Sequence, residues 1–412
     1  VSETPWFAAA VIATISLSAT AAQAAWTETV LTRFGAGSLG SYDGLIFDGK
    51  GNLYGTNVAS GTKGYGSVFK LTPPKLGTGA WAKTDIHIFG GPEGARPNAR
   101  VISDTAGNLY GTTRDGGASG FGTVFRPAQP AAGKTAWTLT VLHSFTGADG
   151  RYPVSALLFG LDGNLYGTTE YGGPNDLGTA FKLTKPAATT GVWAHTVLHA
   201  FSQSEGGEIV GGLAFDNAGN LYGTASAGGQ HQLGTVFKLA HPAAGKTAWT
   251  ESALHHFAQC ACDGANPEAA LSFDSAGNLY GTTNGGGANG AGTVFRLAPP
   301  VKGTPGWSLS VLYSFSFASG IYPDGGLTSD ASGNLYGTTS EGGSAKNGTV
   351  FKLNRPAAGT SHWSETTLHI FGATDGAASY SNVIFDKAGS LYGTTSAGGE
   401  PASEGVVFKL TP

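Results

Sequence analysis

The decapeptide DTAGNLYGTT, Asp104 to Thr113, decides the fold because it recurs. Its GNLYGT core, GSLYGT in the last copy, begins at Gly51, Gly107, Gly163, Gly219, Gly277, Gly333 and Gly389. Successive starts lie 56 residues apart, with one interval of 58. Other landmarks keep this phase. A Trp stands at 26, 81, 137, 193, 249, 307 and 363, a Phe follows eight residues after each, and a GTVFKL-like run recurs around Phe69, Phe125, Phe181, Phe237, Phe295, Phe351 and Phe408. Self-similarity at a fixed period sets aside a domain count from length and points to a repeat architecture.

Each unit holds four segments of strand character: a LIFD-type run, LYGTT, TVFKL and the run from Trp to Phe. Gly, Pro, Asn and Asp clusters separate them. In the last segment Trp137, Leu139, Val141 and Phe145 fall on alternate positions, the period of a strand with one buried face. Four strands per unit and seven units are the numbers of a β-propeller. A parallel β-helix, the competing architecture, needs atypical end repeats that this chain lacks. With the LIFD run innermost, the Trp26–Phe34 strand has no blade and the last blade, ending in TVFKL, has no outer strand. The expected fold is therefore all-β: a seven-bladed propeller of four antiparallel strands per blade, closed by pairing the N-terminal strand with the C-terminal blade, which removes two exposed edges.

Composition agrees. Of 412 residues 67 are Gly, without a three-residue period, and 40% are hydrophobic, which excludes collagen and disorder and suits a turn-rich β protein. A net charge of −4 without Lys/Arg runs gives no field for phosphate backbones, so nucleic acid is not an expected partner. Residues Phe7 to Ala21 are small or apolar and Ala22-Gln23-Ala24 has the small-x-small form of a cleavage site. Residues 1–24 are therefore read as a signal peptide and 25–412 as the propeller. Val1 to Trp6 lacks the usual basic residues, and an uncleaved anchor is the alternative, although the run is shorter than the ~20 residues a span needs. The expected location is secreted, periplasmic or cell surface, with no transmembrane segment in the mature chain, as a monomer.

The D-x-x-GNLYGTT…GG…GTVFKL unit, seven times over residues 26–412, resembles the GloVer (Gloeobacter/Verrucomicrobia) tandem-repeat family of exported bacterial proteins. That resemblance implies export, frequently with a C-terminal sorting anchor, and transfers no catalytic residue. The sequence departs from that pattern in ending at Pro412, directly after its last repeat.

Among the recurring residues, Asp48, Asp104, Asp216, Asp274, Asp330 and Asp386, with Gly160 in the third copy, are placed to cap a hairpin turn. His87, His143, His199, His255 and His369 share one phase on the outer strand, with Thr32 and Tyr313 in the other copies. Strands ~4.8 Å apart put the fourth roughly 14 Å outside the first, so equivalent histidines diverge and are read as packing or hydrogen-bonding groups, with no metal assigned.

Two loops per unit are expected on one face. In the loop to the next blade, Glu93, Asp149, Glu205, Asp263 and Asp375 precede a Gly, with Ser38 and Ser319 in the remaining copies. They are turn formers or, alternatively, an acidic ring at the pore mouth for a hard cation such as Ca²⁺, the one cofactor considered. In the LYGTT–TVFKL loop the copies differ most, and Arg114, Asp115, Glu170, Tyr171, His231 and Glu341 are the candidate ligand-binding residues, solvated loop residues being the alternative. Asn284 and Glu400 vary there too. Cys260 and Cys262, the only cysteines, sit in the one lengthened loop and are read as a small disulfide, with free thiols or a redox or metal role as alternatives.

No nucleophile elbow, phosphate-binding glycine loop or zinc-protease helix is present. The leading functional expectation is a noncatalytic binding or structural module engaging a glycan or protein by one loop face. The alternative is a carbohydrate-active lyase or hydrolase with its site at the central mouth, where propellers of many activities hold theirs.

Overall fold

The computed structural model describes residues 26–412 apart from 36–39, 62, 76, 78, 189–190, 259, 261–262, 302–305, 358 and 401–403. The expected signal peptide lies outside the described residues. Seven four-stranded antiparallel sheets form the blades. Blade 1 runs outward through Ile46–Phe47, Leu53–Asn57, Ser67–Thr72 and Ala82–Ile88. Blades 2 to 6 repeat this order from Ile102, Leu158, Ala214, Ser272 and Thr328. Blade 7 takes Ile384–Phe385, Leu391–Thr394 and Val406–Thr411 from the C-terminus and its outer strand, Thr27–Arg33, from the N-terminus. The expected closure is thus the observed one, with register running from Thr27↔Thr411 to Arg33↔Val406. No helix among the described residues is long and apolar enough to cross a membrane.

The core lies in seven wedges between neighbouring blades. In one, Tyr110 and Val124 of blade 2 meet Leu157, Leu165 and Phe181 of blade 3, with Phe145 and Trp193 closing the outside. Each wedge repeats a Phe pair, edge-to-face in all but the tilted Phe201–Phe237; Phe89–Phe125 has centroids 5.0 Å apart and Phe371–Phe408 5.2 Å. Five of the recurring Trp residues set their ring edge-to-face with the Tyr of the preceding blade's LYGTT strand, as in Trp137 on Tyr54 and Trp193 on Tyr110, and Trp26 and Trp363 join the wedges of Tyr336 and Tyr280. The repeated aromatics therefore serve blade-to-blade adhesion, which explains why one unit cannot stand alone.

Outer strands depart from strict alternation. Each carries a β-bulge, between Val30 and Thr32 in the closing strand and opposite Val124 and Phe125 in blade 2. The extra residue turns Leu142 into the wedge, 8% exposed, while Val141 is only half-buried.

A belt of hydrogen bonds joins the blades around the pore. The first Thr after LYG donates to a carbonyl just before the next blade's inner strand: Thr56 to Ala99 at 3.0 Å, Thr112 to Ser155 at 3.2 Å, and so on to Thr394 to Asp43 at 3.0 Å, which links the last blade to the first. The turn aspartates act as expected. Asp48 accepts from the backbone of Lys50 and Asn52, from the Asn52 amide and from the Tyr54 hydroxyl. In the third copy, where Gly160 replaces the Asp, Asp162 supplies the carboxylate, accepting from Asn164, Tyr166 and Lys182.

Candidate functional site

The two loops expected to share a face do so. They are laced by backbone bridges such as Ala95↔Asp115, Arg151↔Tyr171, Gly207↔Ala227 and Ile321↔Glu341. In front of six of the seven inner strands a residue takes the left-handed conformation: Arg96, Tyr152, Glu208, Asn266, Tyr322 and Ala378, with φ of 53 to 58°; Gly40 holds the equivalent place before blade 1 without a positive φ. Backbone hydrogen bonds hold this corner, Tyr152 donating to Phe121 and accepting from Glu170. The corner turns the chain down into the pore, so the residue two positions on faces the axis.

Those seven residues are Tyr42, Asn98, Val154, Val210, Glu268, Asp324 and Tyr380, and all line a central cavity of about 590 Å³. Arg100, Arg114, Glu170 and Asn382 complete its polar wall. On blades 1 and 7 Tyr42 and Tyr380 lie with ring centroids 5.3 Å apart, tilted by 36°. Beside them the side-chain oxygens of Asn98 and Asn382 are buried and have no hydrogen-bond partner. An acceptor left so costs about 1–3 kcal/mol unless water or a ligand meets it.

Charge across the cavity is polarised. On one side are Arg100, paired with Asp43 at 3.4 Å, and Arg114, which lies over the Tyr152 ring at 4.5 Å and 3.9 Å from Glu170. On the other are Glu268 and Asp324. Burial pushes Glu268 up to about 7, with the negative charges of Asp324, Glu208 and Glu170 adding to it. Burial likewise raises Asp324 to about 6, against hydrogen bonds from Asn284 and Ser340. Glu268 stands exposed in the open mouth although protein surrounds it, so solvent moderates this upward shift. Burial also raises Glu170, opposed by Arg114.

A carboxyl whose folded pKa is raised stabilises the fold fully below its unfolded value, and that contribution disappears as pH rises through the folded value. Glu268 and Asp324 therefore cost stability progressively between about pH 4 and pH 7. The E268Q/D324N variant is expected to melt above the parent at pH 8, with the gap shrinking toward pH 4. Thermal melts of both proteins across that range check this, and a gap independent of pH would contradict it.

The candidates from the loops divide. Arg114 and Glu170 reach the cavity, Asp115 pairs with Arg96 at 3.2 Å on the rim, and Arg151 lies over Tyr171 at 5.1 Å. The negative charge of Glu341 acts on Asp324 and Tyr380. His231 joins none of these; it is exposed, and its charge acts on His256. Glu268, Asp324, Tyr42, Tyr380, Asn98 and Asn382 escaped the reading of the loops. Alignment of the seven copies places Tyr42, Asn98, Glu268, Asp324 and Tyr380 at one position of the unit and Asn382 two residues beyond it, in a stretch that varies between copies ahead of the repeated LYGT core.

Glu93, Asp149, Glu205, Asp263 and Asp375 line no part of the cavity. Each is drawn to the histidine of its own blade, His87 at 3.3 Å, His143 at 2.9 Å, His199 at 3.3 Å, His255 at 3.1 Å and His369 at 3.1 Å. Each also accepts from a backbone N–H of its turn, as Asp149 does from Thr146. In the fifth blade both partners change together, and Tyr313 hydrogen-bonds Ser319. No three of these carboxylates come within 4.8 Å of one another. Ser38 and Cys262 lie outside the described residues, so the disulfide stays an expectation.

The family model described as Gloeobacter/Verrucomicrobia repeat matches residues 17–195 and 187–408. No curated protein matches the chain. Among solved structures, the extracellular domain of a proposed one-component system from B. thetaiotaomicron is similar at 9% identity and TM-score 0.54, over 94% of this chain and 40% of that one. A proposed 6-phosphogluconolactonase from Bacteroides uniformis is similar at 14% identity and TM-score 0.50, over 85% and 89% of the two chains. This chain thus spans less than half of the first relative, and both likenesses concern the fold alone.

Proposed function

The chain belongs to the Gloeobacter/Verrucomicrobia repeat family, and from that premise we propose that it is an exported, noncatalytic module that binds a glycan in the central mouth of its propeller. One observation carries the reading. The pore-facing position before each inner strand holds Tyr42, Asn98, Val154, Val210, Glu268, Asp324 and Tyr380, whereas the belt threonine 14 residues on is the same in all seven copies. The frame is symmetric and its mouth is not. Flat aromatic faces beside amide oxygens, carboxylates and arginines suit a sugar, which offers an apolar ring face and a rim of hydroxyls. The unpartnered oxygens of Asn98 and Asn382 are acceptors for such hydroxyls.

A second reading, a carbohydrate-active lyase or hydrolase at the same mouth, rests on Glu268 and Asp324, carboxyls of adjacent blades whose raised pKa values suit proton donation near neutral pH. A glycan array combined with a released-product assay on residues 25–412 separates the two. Binding without product, weakened at least about tenfold by Y42A/Y380A, is the expected result. Product release that disappears in E268Q/D324N would favour the enzyme. An array without hits would remove the glycan reading.

A further inference from the structure

Where the outer strands of blades 2 and 3 meet, three side chains bearing metal-ligating atoms converge. His143 lies on the outer strand Thr138–Ser144, His195 on Ala194–Ala200, and Asp149 in the loop between the two blades. One donor atom from each lies within 4.8 Å of the other two, the only such trio among the described residues. His143 Nε2 is 2.9 Å from Asp149 Oδ2. Asp149 Oδ1 accepts from the Thr146 backbone at 2.8 Å and hydroxyl at 2.9 Å, which leaves Oδ2 as the oxygen turned to the histidines. His195 stacks on His143 with centroids 4.1 Å apart and planes at 8°, and its Nε2 is buried without a partner. Phe145 packs against both imidazoles and gives the cluster an apolar wall.

The other seams are internal controls. Two residues after the recurring Trp, where blade 3 has His195, stand Lys83, Leu139, Glu251, Leu309, Glu365 and Glu28. Blades 1 and 4 have the His–carboxylate pair, but Leu139 or Leu309 faces it from the next blade. At the seams with Glu251 and Glu28 three titratable residues are present, yet they form no such trio. His195 is therefore not required for the fold at this position. It adds a third donor at one place.

We propose that His143, Asp149 and His195 form a binding site for one divalent transition-metal ion of the zinc class, built across the seam between blades 2 and 3. Two imidazoles and a carboxylate are the donors such ions take, whereas Ca²⁺ and Mg²⁺ prefer oxygen. Donors about 2.0–2.2 Å from a tetrahedral ion are about 3.4 Å apart, so separations within the 4.8 Å of the trio shorten by up to about 1.4 Å while the 2.9 Å His143–Asp149 pair opens by about 0.5 Å. Parallel rings share no point in both their planes, and one must turn. His195 is free to do so, since its Nε2 surrenders no hydrogen bond. Thr146 remains behind the carboxylate and keeps it oriented.

Titration of the metal-stripped full chain with Zn²⁺ alone, followed by calorimetry, tests the site. One saturating equivalent is expected, weakened at least about 100-fold by His195→Leu, the residue that blades 2 and 5 carry there. The pair His143→Tyr with Asp149→Ser, copied from Tyr313 and Ser319 of blade 5, is expected to do the same, and both variants should melt like the parent without metal. Absence of saturable binding by the parent, or affinity unchanged in His195→Leu, overturns the proposal. If either variant does not fold, the electron paramagnetic resonance of Cu²⁺ on the parent decides: two imidazole nitrogens support the site, and one or none overturns it.

Discussion

Deletion of residues 25–34 is expected to lower the thermal midpoint by about 10 °C or more and to make the protein aggregate. The segment is the outer strand of blade 7, and it also supplies side chains to the adjoining wedges. Trp26 and Val30 pack on the wedge containing Tyr336, Phe371 and Phe408, while Leu31 and Phe34 enter the one containing Leu45, Phe69 and Tyr392. Phe34 is 2% exposed, its ring lies 5.5 Å from Phe69, and its N–H donates to Gly405. At about 25 cal/mol per Å² of apolar surface, two large aromatics account for several kcal/mol. For a chain of this size a kilocalorie moves the midpoint by about 2 °C. The Val406–Thr411 strand would also be left as an exposed edge, a template for pairing with another chain. Differential scanning calorimetry with light scattering checks both effects; a truncated protein that melts like the parent would show that closure contributes little.

Replacing Gly223 by Val should be as damaging for the opposite reason, the addition of atoms. Gly223 sits mid-strand in LYGTA, and a Cβ there would lie 2.5 Å from Phe237 Cζ and 3.2 Å from Leu213 Cδ2. Phe237 is fully buried and held by Phe201 at 4.8 Å, so it cannot swing aside. Overpacking of this kind costs about 1–3 kcal/mol for one methyl and more for a branched side chain. Gly223→Ala should therefore lower the midpoint measurably, and Gly223→Val should leave little soluble protein. Pairing Gly223→Ala with Phe237→Leu makes room for the methyl and should cost less than the sum of the single changes, a coupling that a double-mutant cycle reads. Purely additive costs would place the penalty somewhere other than the ring.

Most of the architecture was legible because it repeats. Seven phased copies of Trp, LYGTT and TVFKL announce strand count, blade count and order, and the mismatch between the first strand and the last blade dictates closure. Even the substitution of Gly160 was visible, although its compensation by Asp162 depends on which carboxylate reaches Asn164 and Tyr166. The bulge that turns Leu142 inward was hidden, because an extra residue in one strand leaves the hydrophobic pattern almost unchanged.

The sequence by itself determined the ring, its seven blades and the face that carries the variable loops, since these follow from hydrogen-bonding period and repeat phase. Only the tertiary structure decided what meets what. Glu268 and Asp324 are 56 residues apart, and in the chain they are merely the residues after Pro267 and Pro323; the left-handed corners at Asn266, Tyr322 and Ala378 are what turn them, with Tyr380, toward the axis that Tyr42 also faces. Likewise His143 and His195 occupy different positions in their repeats, so no comparison of equivalent residues pairs them. A propeller carries equivalent residues apart around its ring and brings inequivalent ones together at its seams, and that second relation exists only once the blades have packed.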